Sequence, residues 1–589
     1  MSNDRNLLQR ALRATAVVLV ITLVVAASAL QASAALTGAP APVTSVTLTP
    51  AADEASALLT WTVAAGQTPD AFDITVLDAG ATVDSLTCPF SSCRSKPLRG
   101  LTPGHSYAAT VVARNASGVS SAVTSAAAPI ASGCPSTTYC ISIDATITNG
   151  PATPRAQGLL HSNLPSVDLS KLAPLLTGSW RVRAFNSFDS YDKATASGAK
   201  VTVLMSDAWL GATAAANNGY AGAPWKDWNA YSTWVTGYVH WFLDSGRHPA
   251  YWDVMNEPGN PGYLNPTDLP EWSVDRQLQQ FKVAYLAIKA VDPNANVIGP
   301  SPDGYRPYLG APAVRQLDIP TFIQYVSANG LRPAGISWHE NIVDTTADFG
   351  IQPTNVADHI NEARALLAAA GLAGTKILVN EWGSAQYSEP GWDVGYLAAL
   401  DQANVDGANR SCYYLDIDTQ IVFTCDSPSL DGLLDPSTQL TRAPYWVQLA
   451  YASLQGMRIA THTSHSTFSA LASRTTDGTI RALVGRHQDC TPAVNLDCPA
   501  RAALTLPVSV PVTFKVPAGA STYRVQVALI PNTRLPVAAT VPLMDQTVNV
   551  SGGKLTVTVP QVADGTAYNV TLTPAASGAT CLFGICVHF

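Results

Sequence analysis

The sequence predicts a multidomain chain built around one closed (β/α)8 barrel of the TIM type, with a β-sandwich on either side. Three observations predict it. Between residues 139 and 456, eight short apolar runs recur with helix-like stretches between them. Before and after that region, apolar and polar residues alternate at strand spacing between turn residues. At 589 residues the chain is also long enough for several domains of roughly 100–200 residues each.

The N-terminus reads as an export signal. Residues 1–34 carry Arg5, Arg10 and Arg13, then an apolar stretch from about Ala14 to Leu30, then Ala32-Ser33-Ala34 before Ala35. An uncleaved anchor is the competing reading, although the apolar stretch is slightly short for a membrane span. Either way the body is expected outside the cytoplasm, secreted and free of the membrane once the signal is cleaved. Residues 35–41, rich in Ala, Pro and Thr, read as a linker.

Composition narrows the partners. Charged residues make up 13%, the net charge is −8, and no long run of Lys or Arg occurs, so nothing suggests nucleic-acid binding. The ten cysteines form five close pairs: Cys88 and Cys93, Cys134 and Cys140, Cys412 and Cys425, Cys490 and Cys498, Cys581 and Cys586. Local disulfides are the natural reading for an exported chain. Structural zinc is the competitor, but neither CxxC repeats nor HExxH occur, so no metal is expected.

The eight barrel strands are expected at GLLHS, SWRVRAF, KVTVLMSD, YWDVMNE, NVIGPS, AGISWHEN, KILVNEWG and SCYYLD. Helices between them include DRQLQQFKVAYLAIKAVDP, which stops at Pro293, and VADHINEARALLAAAGLAG, with a glycine end signal. An open doubly wound sheet would also alternate strand and helix, but neither GxGxxG nor GxxxxGK[ST] follows any strand. Residues 457–575 then read as a C-terminal β-sandwich, and residues 576–589 as a tail holding the last cysteine pair.

Before the barrel, Trp61 lies in an early strand and Leu101-Thr-Pro-Gly-His-Ser-Tyr107 precedes the strand AATVVARN. Those residues resemble a fibronectin type III module over residues 42–130, with Tyr107 in the place of the corner tyrosine. The resemblance implies a spacer or accessory binding unit and no chemistry of its own.

Chemistry is expected at two glutamates. Asn256-Glu257 ends the fourth expected strand and Glu381 the seventh, at the carboxyl edge where barrel active sites are built. Retaining glycoside hydrolysis needs two carboxyl groups roughly 5–5.5 Å apart, one acting as acid and then base, the other as nucleophile. Neighbouring carboxylates in a partly desolvated pocket can hold opposite protonation states. The bland alternatives are a carboxylate at a helix N-terminus or beside an arginine for Glu257, and a surface residue for Glu381.

The runs Trp252-Asp-Val-Met-Asn-Glu257-Pro258 and Ile377-Leu-Val-Asn-Glu381-Trp382-Gly383 resemble the acid/base and nucleophile signatures of clan A glycoside hydrolases, family 39 in particular. The resemblance implies a retaining glycosidase with Glu257 as acid/base and Glu381 as nucleophile, acting without a cofactor on an oligosaccharide or polysaccharide. A β-xyloside is the first substrate it implies, and an endo-acting glycanase of another clan A family the alternative.

The resemblance also implies that Asn256 bonds the sugar 2-hydroxyl. The sequence departs from family 39 at three places. Arg183 stands where the second strand has histidine. His339-Glu340-Asn341 replaces His-x-Tyr, and Tyr413 or Tyr414 replaces the tryptophan of the eighth strand.

His339 and Asn341 lie two apart and share a strand face, as do Arg181 and Arg183, so each pair suits one pocket. Glu340 points the other way. A guanidinium near the pocket would hold the nucleophile ionised or bind sugar hydroxyls, with structural ion pairing the alternative. Trp209, Trp225, Trp228 and Trp382 are candidate stacking surfaces for a sugar ring, with ordinary core packing the alternative for each. A different class of reading is a carbohydrate-binding surface protein whose barrel has lost activity; the presence of both glutamates argues against it.

Overall fold

The structure, a computed structural model, describes residues 38–587 except 51–56, 89–92, 99–100, 102–103, 131–138, 161–166, 168, 176–177, 184–187, 206–219, 221–222, 260–270, 306–316, 341–352, 384–388, 413, 418–419, 425–426, 464–466, 488–506, 576–579 and 583–584. The expected signal at 1–34 lies outside them. The chain divides into two compact units, one containing Leu58–Lys96 and His105–Ala128, the other Pro129–Phe589. Among the described residues no helix is long and apolar enough to cross a membrane.

The first unit holds two sheets, the larger of them antiparallel. Val43–Pro50, Ala57–Val63 and Ser95–Leu98 form one; Ala81–Cys88, Ala71–Asp78, Ser106–Asn115 and Gly118–Val119 lead the other. Alternate residues Leu59 and Trp61, Ile74 and Val76, Ala109 and Val111 are buried, as period-two patterning dictates. Trp61 packs against Phe72 at 5.3 Å between ring centroids, and Tyr107 is buried at the start of its strand. Of the expected disulfides, Cys88–Cys93 is present; Cys140 and Cys412 are disulfide-bonded, and their expected partners Cys134 and Cys425 lie outside the described residues. Cys581 and Cys586 stand opposite each other in a hairpin of Thr580–Leu582 and Ile585–Val587.

The second unit contains a closed barrel of eight parallel strands: Gly158–Leu160, Ser179–Arg183, Lys200–Leu204, Tyr251–Asp253, Val297–Pro300, Gly335–Glu340, Lys376–Trp382 and Gly407–Arg410. The first seven fall inside the expected runs. The eighth does not: SCYYLD was expected, but GANR closes the barrel against the first strand, with Gly158 opposite Asn409. Tyr414–Ile417 instead pairs antiparallel with Gln420–Phe423 beyond the barrel. The reason is compositional. Ala408 is the only sizeable apolar residue of the true strand, whose Asn409 and Arg410 are buried polar groups.

Capping residues set the helices where the sequence places them. Ser273 accepts from the backbone N–H of Arg276 at the start of Val274–Val291, and Asp318 accepts from Thr321 N–H at the start of Ile319–Ala328. The helix Pro353–Ala369 ends before Gly371, whose φ of 71° is the left-handed conformation that glycine tolerates.

The expected C-terminal sandwich is one hydrogen-bonded sheet of nine strands. Its order is Val541–Asn549, Thr522–Ile530, Ala567–Pro574, Ile480–Arg486, Phe468–Arg474, Met457–Thr463, Ile141–Pro151, Val508–Lys515 and Lys554–Val562. Residues from both arms, such as Val527 and Val570 on one and Phe514 and Val557 on the other, share one core, so the sheet is curled. Ile141–Pro151 was expected inside the barrel region, which was set to begin at residue 139. It runs parallel to Val508–Lys515 and antiparallel to Met457–Thr463, and so belongs to this sheet.

Barrel and sheet share a helix. Pro390–Gln402 is buried from Pro390 to Asp401, because the barrel covers one side and Ile480–Arg486 the other. Glycines permit the approach: a Cβ on Gly391 would lie 1.9 Å from the Arg486 carbonyl oxygen, and one on Gly485 would lie 2.6 Å from Val394 Cβ. The obstacle at Gly391 is main chain, so no rotamer change relieves it. Gly391→Ala is therefore expected to cost about 2–3 kcal/mol in denaturant unfolding. Gly237→Ala, in a helix with open space around the new methyl, should instead be neutral or stabilise by about 0.5–1 kcal/mol.

Candidate active site

The barrel interior above its floor is polar, and one arginine organises it. In the second strand, Trp180 and Val182 turn outward into the helix layer while Arg181 turns inward with no solvent exposure. Its guanidinium donates from Nε to Asp253 Oδ2 at 2.8 Å, from Nη1 to Glu381 Oε1 at 2.7 Å, and from Nη2 to Asn256 Oδ1 at 2.8 Å. The planar fork thereby ties the fourth strand to the seventh.

Trp252 packs outward on Phe242 at 5.3 Å between centroids, which turns the next residue, Asp253, inward. Asp253 Oδ1 accepts from Ser301 Oγ at 2.8 Å, and Oδ2 accepts from Asn380 Nδ2 at 2.7 Å as well as from Arg181. Glu257, four residues on, has a φ of +42°, uncommon for any residue other than glycine. Its N–H donates to Ser301 O at 2.7 Å, which holds that turn over the barrel mouth.

The seventh strand turns two consecutive residues inward. Trp338 pairs with Val379 and His339 with Glu381, which leaves Asn380 as an extra residue, a β-bulge. Without it Asn380 and Glu381 would face opposite sides. With it, Asn380 reaches Asp253 and Ser301 while Glu381 reaches Arg181.

His339, fully buried, stands between the two glutamates. Its Nδ1 lies 3.1 Å from Glu257 Oε1 and its Nε2 lies 3.5 Å from Glu381 Oε1. One carboxylate oxygen of each glutamate and one ring nitrogen of His339 all lie within 4.8 Å of one another. Burial opposes a charged imidazole, yet Glu381 and Glu257 outweigh it and raise the His339 pKa above its ordinary value. Burial also lifts the Asp253 carboxyl above its usual range despite Arg181.

Of the residues singled out from the sequence, Glu257, Glu381, Asn256, His339 and Arg181 meet here. Arg181 holds Asn256 by its oxygen, which turns the amide N–H2 away from the guanidinium. Asn341 and Trp209 lie outside the described residues. Arg183 and Tyr414 have described backbone, at the end of the second strand and in the hairpin beyond the eighth, while their side chains lie outside the description.

For Trp382 the structure shows the core-packing alternative. It is fully buried, packed on Tyr396 at 5.7 Å with Arg410 5.5 Å above its ring, so it offers no face for a sugar. Glu340 indeed turns away, accepting from Trp338 Nε1 at 2.5 Å and facing His359 Nδ1 at 2.7 Å. Trp225 is also buried, its ring 4.5 Å from that of Trp272 and tilted by 30°, and Trp272 Nε1 donates to Pro258 O, while Trp228 is half-buried.

Sequence reasoning missed Asp253, Ser301, Asp303, Ser337 and Asn380. Asp253 left a signal, a charge inside the apolar run YWDVM, and so did Asn380, the polar residue before Glu381. Ser301 and Ser337, whose hydroxyls lie 2.8 Å apart, left none.

Glu257, His339 and Glu381 carry ligand types that could hold a divalent cation. However, Glu381 Oε1 already accepts from Arg181 at 2.7 Å, so a metal there would sit against a guanidinium. The arrangement suits proton transfer and nucleophilic attack better than ligation.

No protein-family model matches the chain, and no curated protein matches its sequence. Solved structures do. A protein from Neocallimastix frontalis aligns with a TM-score of 0.57 and 18% identity, over 74% of this chain and 100% of its own. A glucosidase from Croceicoccus marinus aligns at 0.53 and 17%, over 74% and 99%. The GH39 enzyme from Xanthomonas axonopodis pv. citri aligns at 0.53 and 17%, over 74% and 97%. At these identities the likeness establishes the barrel fold.

Arg181→Met should lower stability by about 3–5 kcal/mol in urea unfolding at pH 7, since Asp253 and Glu381 stay buried without their cation. The deficit should shrink at pH 5, where those carboxyls can take up protons instead. Asp253→Asn in the same background should recover part of it.

Proposed function

We propose that the chain is a retaining glycoside hydrolase in which Glu257 is the acid/base and Glu381 the nucleophile. The observation that carries this reading is the placement of the two carboxylates, with oxygens within 4.8 Å at the ends of the fourth and seventh strands. That spacing suits a retaining pair and leaves no room for the water that an inverting pair, roughly 6.5–9.5 Å apart, must hold between its carboxyls.

In the first step Glu381 attacks the anomeric carbon, the bond to the leaving oxygen breaks, and Glu257 gives that oxygen its proton. In the second, Glu257 takes a proton from water, the water oxygen bonds the anomeric carbon, and Glu381 departs as a carboxylate. Arg181 keeps Glu381 ionised for the attack. The Asn256 amide, held by its oxygen, presents its N–H2 to the sugar 2-hydroxyl. His339 faces the nucleophile, its Nε2 3.5 Å from Glu381 Oε1.

The substrate we infer is a plant or microbial oligosaccharide or polysaccharide, a β-xyloside first, because the glutamate motifs resemble family 39 and the barrel resembles that of a GH39 enzyme. The N-terminal stretch, the cysteine pairs and the fibronectin-like unit support a secreted protein with an accessory module. No cofactor enters the reaction.

A panel of aryl glycosides and polysaccharides tests the reading against Glu257→Gln and Glu381→Gln. Glu257→Gln should lose 10²–10⁴-fold in kcat/KM on poor leaving groups and far less on nitrophenyl glycosides, which leave without a proton. Glu381→Gln should be inactive on both. Binding without turnover by the unaltered protein on every substrate would overturn the enzyme reading.

A further inference from the structure

Glu257 sits in a turn that its own sequence disfavours. Its φ of +42° lies in the left-handed region, and the proline that follows pushes a preceding residue towards extended conformations. Such a backbone persists only where its surroundings hold it. On the near side, Arg181 fixes Asn256 by its Oδ1 at 2.8 Å, and Ser301 O accepts from Glu257 N–H at 2.7 Å. Pro258 has no N–H to donate, so beyond Glu257 the turn is held through a carbonyl instead: Trp272 Nε1 donates to Pro258 O.

Trp272 is itself firmly seated. It is 2% exposed and stands immediately before Ser273, the cap of the helix Val274–Val291, so the start of that helix sets its position. Its ring lies 4.5 Å from that of Trp225, which stands two residues before Asp227, the cap of the helix Trp228–Asp244. Trp225 Nε1 donates to Glu271 Oε2 at 3.2 Å, which ties the second indole to the residue before the first. The starts of two helices thus seat the Trp272 indole against the turn.

We propose that Trp272 is a positioning residue for the general acid: by holding Pro258 O, its indole N–H keeps the Glu257 turn closed and the carboxyl in place, with Oε1 3.1 Å from His339 Nδ1. The catalytic part of the proposal rests on the hydrolase reading; the clamp on the turn does not.

Glu381 is placed separately, by Arg181 at 2.7 Å and by the pairing of its strand with the sixth. A loosened turn therefore misplaces the acid and leaves the nucleophile where it was. Protonating a leaving oxygen requires Glu257 within hydrogen-bond reach of it, and a displacement of roughly 1 Å can cost about 10²-fold. Attack by Glu381 on a glycoside whose leaving group needs no proton is insensitive to that displacement. A loss confined to poor leaving groups is the mark of this role, whereas a general packing defect lowers both classes alike.

Trp272→Phe in the full chain keeps an aromatic ring in place and removes the N–H. On aryl β-xylosides, or whichever aryl glycosides the panel shows to be cleaved, kcat/KM should fall roughly 10–100-fold for poor leaving groups and less than about threefold for nitrophenyl glycosides. A second measurement needs no turnover. Amide hydrogen exchange read by mass spectrometry reports the bond from Glu257 N–H to Ser301 O. In Trp272→Phe the peptide covering residues 254–259 should exchange about tenfold faster, while the peptide covering residues 377–383 keeps its rate.

Equal losses on both classes of leaving group overturn the proposal, as does unchanged exchange over residues 254–259. Should Trp272→Phe not fold, Trp225→Phe, which keeps the donor but shrinks the ring packed against it, carries the same two measurements with the same readings. A protein inactive on every glycoside, whose exchange over residues 254–259 still quickens in Trp272→Phe, supports the clamp and overturns the hydrolase reading alone.

Discussion

Everything at the mouth of this barrel depends on one buried guanidinium. Arg181 is fully buried, and Asp253 and Glu381 offset its charge at 2.8 and 2.7 Å. The dependence is mutual, since Asp253 is wholly buried and Glu381 nearly so. Removing a partner from such a group strands a charge in low dielectric, which costs more than the bond itself contributes. The resulting geometry is stiff: two strand ends on different sides of the barrel are spaced by the width of one planar ion.

Local irregularities in the backbone convert that stiffness into a site. A regular seventh strand would send Asn380 and Glu381 to opposite faces, and the bulge opposite Trp338 and His339 sends both inward. Glu257 adopts a left-handed conformation that costs free energy and is held by a main-chain bond to Ser301. A polar interior contributes little net stability, so the fold draws on its outer layers. Trp180 and Trp252 are fully buried in the helix layer, and the helix Pro390–Gln402 is sealed between barrel and sheet.

The features legible in the sequence are those whose side chains advertise their environment. Apolar strands flanked by turn residues marked seven of the eight barrel strands, and each glutamate closes such a run behind an asparagine. The eighth strand was illegible because Gly407–Arg410 is held by a buried ion pair, Arg410 to Asp393 at 2.7 Å, and not by apolar burial. Ile141–Pro151 alternates as a strand should, but its partners lie beyond the entire barrel, and alternation carries no information about pairing. Trp382 looked like a sugar platform because an indole suits both roles; only the packing of Tyr396 and Arg410 separates them. Asp303 follows a Ser-Pro turn, where an aspartate ordinarily serves the loop, and nothing in its neighbours announces its burial.

The central claim is that Glu257 and Glu381 are spaced for double displacement. The most direct measurement is proton NMR of the first anomer released from a cleaved glycoside, recorded before mutarotation. The product should keep the anomeric configuration of the substrate. An inverted first product would contradict it, because water would then have attacked the anomeric carbon directly and Glu381 could not have been the nucleophile.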